Sequence, residues 1–491
     1  MDGINMVDKD KLRLNYIDGE WIECDSKETF ENWNPADNED LIGHHQYSNE
    51  EDVFKAVKAA KSAEKVWSDI PAAKRGRFLK TISELLEKRK DEFTKTITRE
   101  EGKTLDESTG EVKRAVDIFQ YYSVKAKEIG GDIKSANEND KLLYTIKEPL
   151  GTVGLITPWN YPLAIPSWKI APALAAGNTI VFKPASLAPE TSRKLIECID
   201  ESGIPKGVIN YITGSGSTVG SAITIHPDID AVSFTGSLNV GKKVREDAAR
   251  SGKRVQTEMG GKNPTLIMES ADINKAVDIV KNGAFGVTGQ ACTATSRAIV
   301  HKKIYDDFIS KLIEKIENIK VGPGLENPDM GPQVSEEELQ STLDFIKIGL
   351  EEGAILETGG NELDTGYFSK GHFIEPTVFS NVKPDMAIAQ EEIFGPVLSV
   401  IKIHSFEEAI KVANSVIYGL SASIVTKDLS EANRFVNEIE SGVVKINEKT
   451  TGLELHVPFG GLKDSSSKTW REQGESALDF YTISKTVYMN Y

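Results

Sequence analysis

Gly151-Thr-Val-Gly-Leu-Ile-Thr-Pro-Trp-Asn-Tyr-Pro-Leu-Ala-Ile-Pro-Ser-Trp-Lys-Ile-Ala-Pro-Ala-Leu-Ala-Ala-Gly-Asn-Thr-Ile-Val-Phe182 sets the fold class of this chain. Residues 153–157 are a short apolar run ended by Pro158, which reads as a buried strand. Residues 165–177 follow as a helix closed by glycine. Residues 178–182 are the next strand and run into Lys183-Pro184. The alternation continues with a helix over 190–202, a strand over 208–212, a short helix over 219–225 and a strand over 231–234. Strand and helix at this short spacing describe a parallel, doubly wound sheet.

On the amino-terminal side, residues 14–22 form a hairpin around Asp18-Gly19, and Asn34-Pro-Ala-Asp37 forms a turn. Helices are expected over 48–67, with Ser48 as N-cap, over 72–99 as one long element, and over 111–126. Residues 129–146 break into polar, strand-like pieces that suit an arm standing away from the body. On the carboxyl side the alternation restarts. Strands are expected at 254–258, 263–268, 397–401, 421–425 and 442–446. Helices are expected at 273–287, 303–319, 335–352, 406–415 and 430–439. The tail, 481–489, is a terminal strand in need of a partner, either the arm or another subunit.

The length of 491 residues implies two or three domains. An apolar content of 39%, a charged content of 27% and a net charge of -17 describe a globular protein that repels nucleic-acid phosphate and anionic membrane. No apolar run is long enough to span a bilayer. The opening residues, 1–10, are acidic and carry no apolar h-region, so a secretory signal is not expected and the cytoplasm is. The three cysteines, Cys24, Cys198 and Cys292, are too few for a disulfide framework or a zinc site, and no metal-ligand set is visible.

Cys292 lies in Gly286-Val-Thr-Gly-Gln-Ala-Cys-Thr-Ala-Thr-Ser-Arg297, a small and polar run unlike the apolar segments that hold structural cysteines. Gly286 and Gly289 let backbone approach whatever the sulfur meets. A nucleophilic thiol and a core thiol are both open on this stretch alone. Asn160, after a buried strand, can aim its amide at an oxyanion or simply make an Asx turn beside Pro162. Glu258, at a strand end before Gly260-Gly261, can serve as a general base once desolvated or be a solvated turn residue. The strand ending at Phe234 enters Thr235-Gly-Ser-Leu-Asn-Val-Gly241 and a basic helix. Such a turn can seat a nucleotide phosphate on a helix N-terminus, yet its Gly-x4-Gly spacing is not the usual dinucleotide pattern and also fits a plain tight turn.

Taken together, segments 151–177, 234–241, 258–264, 289–297, 391–397 and 458–461 resemble, in order and spacing, the aldehyde dehydrogenase superfamily, across nearly the whole chain. Within it, 156–177, 289–297, 451–455 and 469–474 are most similar to archaeal 2,5-dioxopentanoate and glyceraldehyde dehydrogenases of sugar-acid catabolism. The resemblance implies a Rossmann-like cofactor domain with five parallel strands (1–128 and 148–257, with 447–468 returning to it), an α/β catalytic domain (258–446) and a small β oligomerisation arm (129–147 with 469–491). It implies Cys292 as nucleophile, Glu258 as general base, Asn160 as oxyanion donor and Lys169 in a proton relay. For the cofactor it implies Lys183 at the adenine ribose, Gly236 and Ser237 at the phosphates, Glu392 at the nicotinamide ribose and Phe394 beside the ring. Thr157, Pro158, Trp159, Gly216, Gly220 and Phe234 complete that wall. Thr451 and Leu453 match a loop bordering the aldehyde tail, and Tyr161, Trp168 and Thr293 are further wall candidates. Arg297 either holds a substrate carboxylate or makes a structural ion pair.

The implied reaction is NAD(P)-dependent oxidation of a small polar aldehyde, 2,5-dioxopentanoate or glyceraldehyde, through a Cys292 thioester. The alternative substrates are succinate semialdehyde or a broad range of aldehydes. A CoA-acylating enzyme is disfavoured because Glu258 is present. A non-catalytic protein of the same fold would be expected to lose Cys292 or Glu258. Ser186 stands where NAD-preferring relatives often carry a glutamate that repels a 2′-phosphate, so NADP is expected to be preferred, with NAD also used. Alternatively, Ser186 only enters a helix and both cofactors serve equally. A homotetramer, built as a dimer of dimers, is the expected assembly.

Overall fold

The computed structural model describes residues 9–491. Residues 1–8, the greater part of the acidic opening stretch without an h-region, lie outside the described residues.

Two seven-stranded sheets dominate. The first contains β1 (Asn15–Ile17), β2 (Glu20–Ile22), β3 (Thr152–Ile156), β4 (Thr179–Lys183), β5 (Ile209–Tyr211), β6 (Ala231–Thr235) and β7 (Arg254–Glu258), in the order β7-β6-β3-β4-β5-β1-β2. Its five strands β3 to β7 run parallel, and the β1–β2 hairpin is added antiparallel at one edge. Each of β3, β4 and β6 is buried along its whole length, which is what a strand covered on both faces requires. The chain runs from β3 to β4 and β5 on one side and then returns to lay β6 and β7 on the other. The crevice between the ends of β3 and β6 is therefore a topological switch point, the place where open α/β sheets bind ligands.

The second sheet contains β8 (Asn263–Ile267), β9 (Thr295–His301), β10 (Ile355–Thr358), β11 (Thr377–Ser380), β12 (Val397–Ile403), β13 (Ser421–Val425) and β14 (Val443–Ile446), in the order β10-β11-β12-β9-β8-β13-β14. All neighbours are parallel except β10 on β11. Beyond both sheets, the strand Thr482–Asn490 pairs antiparallel along the whole of Lys141–Pro149.

Several expected elements shift. The helix over 72–99 is two, α2 (Ala72–Lys88) and α3 (Lys90–Glu101), broken where Arg89 leaves helical geometry at φ −102°, ψ 17°. No glycine or proline marks that break. Arg89 instead turns its guanidinium to Glu197 and Glu201 on the helix Pro189–Glu201. The preceding helix, α1 (Glu50–Ser68), is capped by Asn49 and not Ser48; Ser48 accepts from the Asn15 amide at 2.7 Å. The helix α4 (Leu105–Lys125) starts six residues earlier than expected, because Thr104 and Glu107 form a capping box. An unpredicted antiparallel pair, Thr29–Asn34 with Asp37–Gln46, flanks the expected turn; its residues are too polar to show a clear alternation. The helix α5 (Ala164–Ala176) is buried at all thirteen positions, a core helix between the first sheet and α4.

Candidate active site

Cys292 sits on the turn that leads into β9, just after a strained run. Val287 (φ 53°) and Thr288 (φ 56°) both adopt left-handed backbone, rare for such residues, and Gly289 follows at φ 70°. A side chain at Gly289 would run into the Gly395 carbonyl, so glycine is required there. The turn is pinned from β8: the Asn263 amide donates to the carbonyls of Cys292 (2.9 Å) and Ala294 (2.8 Å). Asn160, buried beyond β3, donates its side-chain amide to the Gln290 carbonyl at 2.9 Å, two residues from the thiol. The Asn160 carbonyl is held in turn by Lys103 Nζ at 2.6 Å, and Lys103 also bonds Glu111 at 2.8 Å and lies 4.2 Å over the Tyr161 ring. The residue is thus held at its main-chain carbonyl and its side-chain nitrogen, while the side-chain oxygen is buried without a partner among the described residues.

Glu258 ends β7. Its carboxylate accepts from the Gly461 N–H (3.0 Å) and the Ser466 hydroxyl (2.9 Å). Burial, and then the charge of Glu472, holds its carboxyl well above the usual range. Glu472 is ion-paired with Lys169, whose ammonium also donates to Ser233 at 2.7 Å; both charges are almost fully buried. Burial pushes the Cys292 thiol up to about 12, reinforced by the carboxylates of Glu392, Glu258 and Glu472, while the Thr293 N–H opposes the shift. Burial and three carboxylates thus act together to favour the thiol over the thiolate.

The strand ends of the first sheet open on the crevice. Thr157, Pro158 and Trp159 follow β3, Lys183 ends β4, Gly216 and Gly220 bracket the single turn after β5, and Phe234, Gly236 and Ser237 lie at the end of β6. Lys183 is buried, bonded to the Pro184 carbonyl at 2.9 Å, and burial lowers its ammonium to about 8. The Thr157 hydroxyl is buried without a partner. Ser237 caps the helix Leu238–Arg250 by position only, with no side-chain cap bond, so that helix N-terminus keeps its N–H donors free. Glu392 accepts from the Gly261 N–H at 3.0 Å, and burial raises its carboxyl to about 7. The Phe394 ring meets Trp159 edge-on at 5.4 Å. An unpartnered hydroxyl, a helix N-terminus, a lysine and a carboxyl at the strand ends fit the chemistry of a dinucleotide.

Residues 21–487 match the model of the aldehyde dehydrogenase family. The chain belongs to that family. An alpha-ketoglutarate semialdehyde dehydrogenase of Haloferax volcanii is 57% identical over 97% of this chain and 99% of its own length. A 2,5-dioxopentanoate dehydrogenase of Saccharolobus solfataricus is 45% identical over 95% of this chain and 97% of its own. A betaine aldehyde dehydrogenase of Staphylococcus aureus, solved in complex with NAD+, superposes with a TM-score of 0.94 at 37% identity, covering 97% of this chain and 94% of that one.

In this aldehyde dehydrogenase Cys292 lines a cavity of about 350 Å³. Cys292, Thr293, Tyr161, Trp168, Thr451 and Leu453 all line it. Arg297 does not, and its reading is corrected. Its guanidinium is 1% exposed and donates to the carbonyls of Lys262 (3.0 and 2.8 Å), Val412 (3.0 Å) and Ala413 (2.9 Å). Among the described residues it makes no ion pair, and its donors are spent on main-chain carbonyls, so it ties β9 to neighbouring loops. Asn263, Gln290, Lys103 and Glu472 escaped the sequence reading. The only signals were a polar residue opening the apolar strand β8 and a lysine directly after the helix-ending Gly102.

Proposed function

We propose that this aldehyde dehydrogenase oxidises a small polar aldehyde to its acid, with 2,5-dioxopentanoate first and glyceraldehyde close behind. The observation that supports the reading is that the Cys292 thiol lines a cavity, with the Asn160 amide bonded to the Gln290 carbonyl two residues away and the charge of the desolvated Glu258 felt at the sulfur. The Cys292 thiol gives its proton to Glu258, which releases it to solvent; the sulfur adds to the aldehyde carbon, and the carbonyl oxygen takes the electron pair. Asn160 and the Cys292 N–H hold that oxygen. A nicotinamide cofactor held at Lys183, Glu392 and the N-terminus of the helix Leu238–Arg250 would supply the hydride acceptor, and loss of hydride from the tetrahedral carbon would leave Cys292 as a thioester. Glu258 swings from Gly461 and Ser466 to take a proton from water, which opens the thioester and returns the thiolate. The buried Lys169–Glu472 pair passes that proton outward.

The relatives' names support the substrate, and the free thiol suits a reducing cytoplasm. NADP is the preferred cofactor and NAD also serves: no carboxylate stands at Ser186 to repel a 2′-phosphate, and Lys183 lies three residues away. Ser186 donates to the Gly214 carbonyl at 3.1 Å and exchanges that bond for phosphate oxygen. The arm assembles a homotetramer.

Reduced-cofactor formation from 2,5-dioxopentanoate, succinate semialdehyde, glyceraldehyde and pentanal, with and without CoA, tests the reading. The expected result is CoA-independent turnover with the highest kcat/KM for 2,5-dioxopentanoate. Turnover only with CoA, or a preference for pentanal, overturns it.

A further inference from the structure

The cavity that Cys292 lines has one wall made by a single helix face. Glu107, Gly110, Glu111 and Arg114 of α4 all line it, a spacing of three, four and seven that puts them on one stripe. The two carboxylates on that stripe are already satisfied. Glu107 accepts from the Thr104 N–H at 3.0 Å and from the Val287 N–H at 2.6 Å, which fastens the helix to the loop bearing the thiol. Glu111 is paired with Lys103 and accepts from the N–H groups of Leu163 (2.8 Å) and Ala164 (3.0 Å). Gly110 leaves the stripe open between them: a β-carbon there would meet nothing within 4 Å.

Arg114 differs from both. Among the described residues its one hydrogen bond runs from Nη2 to the Gln473 side-chain oxygen at 2.8 Å. Among the described residues no carboxylate lies within ion-pair distance of it, although the fields of Glu454 and Asp117 reach it. A half-buried guanidinium has five N–H donors, and here four remain for something else. Its α-carbon is about 10 Å along the helix from Glu107, at 1.5 Å per residue. Side chains on a helix lean toward its N-terminus, here toward the loop bearing the thiol. Lys449 adds a second positive group to the same lining.

We infer that Arg114 is the specificity-determining residue of this aldehyde dehydrogenase: it grips the carboxylate at the far end of the substrate while the aldehyde carbon meets Cys292. The inference rests on the proposed 2,5-dioxopentanoate reading and assigns to Arg114 the role that Arg297, locked among carbonyls, does not fill. A guanidinium fork matches a carboxylate in two parallel hydrogen bonds, which fixes both position and orientation. An uncharged aldehyde of the same length gains nothing from it and leaves its donors unpaired.

The test compares kcat/KM for 2,5-dioxopentanoate and pentanal in the wild type, Arg114→Met and Arg114→Lys, with thermal unfolding of each protein recorded. The ratio of the two values is expected to fall about 100-fold in Arg114→Met, mostly through KM for 2,5-dioxopentanoate, in line with a charge-assisted pair of bonds. Arg114→Lys, which keeps the charge but not the fork, is expected to recover part of that ratio; it also serves if the methionine variant does not fold. A wild type that favours 2,5-dioxopentanoate while both variants keep its ratio overturns the role of Arg114 alone. A wild type that favours pentanal overturns the substrate reading and the inference with it.

Discussion

Two residues decide the electrostatics of the nucleophile and the cofactor. Glu392 is the largest charged contributor to the raised Cys292 thiol and itself ionises near about 7. Above that pH its negative charge disfavours the thiolate. Glu392→Gln removes the charge, so the thiolate fraction at a given alkaline pH rises. Alkylation of the cofactor-free enzyme by iodoacetamide between pH 8 and 10 is therefore expected to run severalfold faster in Glu392→Gln, with the pH profile displaced downward; equal profiles would remove Glu392 as a cause. Ser186→Glu places an anion where the 2′-phosphate is proposed to lie. It is expected to raise KM for NADP at least tenfold more than KM for NAD, measured as kcat/KM with each cofactor. At this scale Cys292, Asn160 and Glu258 stood out in the sequence because each stands at a strand end or among glycines; the structure sets the Asn160 amide on the Gln290 carbonyl, two residues from Cys292, and buries Glu258 at the end of β7. Arg297 misled because an arginine five positions past a thiol looks available, when alternation along β9 points it inward to orphaned carbonyls. Arg114 was invisible: one more charge on a helix reads as solvated until a cavity is found beside it.

Elements were legible where burial was complete and obscure where it was partial. The strands β3, β4 and β6 announce themselves as apolar runs closed by proline, glycine or a charged residue. Thr29–Asn34 and Asp37–Gln46 carry too many polar residues for periodicity to show, and the α2–α3 break has no local breaker because Arg89 is drawn to acids distant in sequence. The start of α4 was readable in Thr104-Leu-Asp-Glu107, a capping box. This cap reaches the site, because Glu107 both closes the box and holds the Val287 N–H of the strained thiol loop. Thr104→Ala is expected to cost about 1 kcal/mol. It should appear as faster amide exchange over residues 105–108 together with a lower kcat; unchanged exchange would show that the cap is not what holds this end of the helix.

At the scale of the whole molecule the tail and the thiol depend on long-range pairing. Thr482–Asn490 leaves Ile483, Tyr488 and Met489 exposed on a strand whose one paired edge is Lys141–Pro149. Such a face is proposed to be covered by other copies of the chain. Deleting residues 482–491 is expected to lower the mass in light scattering from that of a tetramer to a smaller species; a mass still tetrameric per chain would place the interface elsewhere. Terminal strands are readable from sequence, but the choice between pairing within the chain and between chains is not, since both satisfy the same backbone groups.

In the proposed mechanism the two sheets contribute one half-reaction each. Cys292 comes from the second sheet's lead-in turn, Glu258 from the last strand of the first, and Gly461 and Ser466 return from beyond residue 447 to hold the carboxylate. Rapid mixing of Glu258→Gln with 2,5-dioxopentanoate and cofactor, followed by mass spectrometry of the quenched protein, reads both halves at once. The account predicts a burst of reduced cofactor near about one per active site, slow turnover afterwards, and an acyl adduct on Cys292. Steady-state turnover at the wild-type rate with no adduct on Cys292 would contradict it.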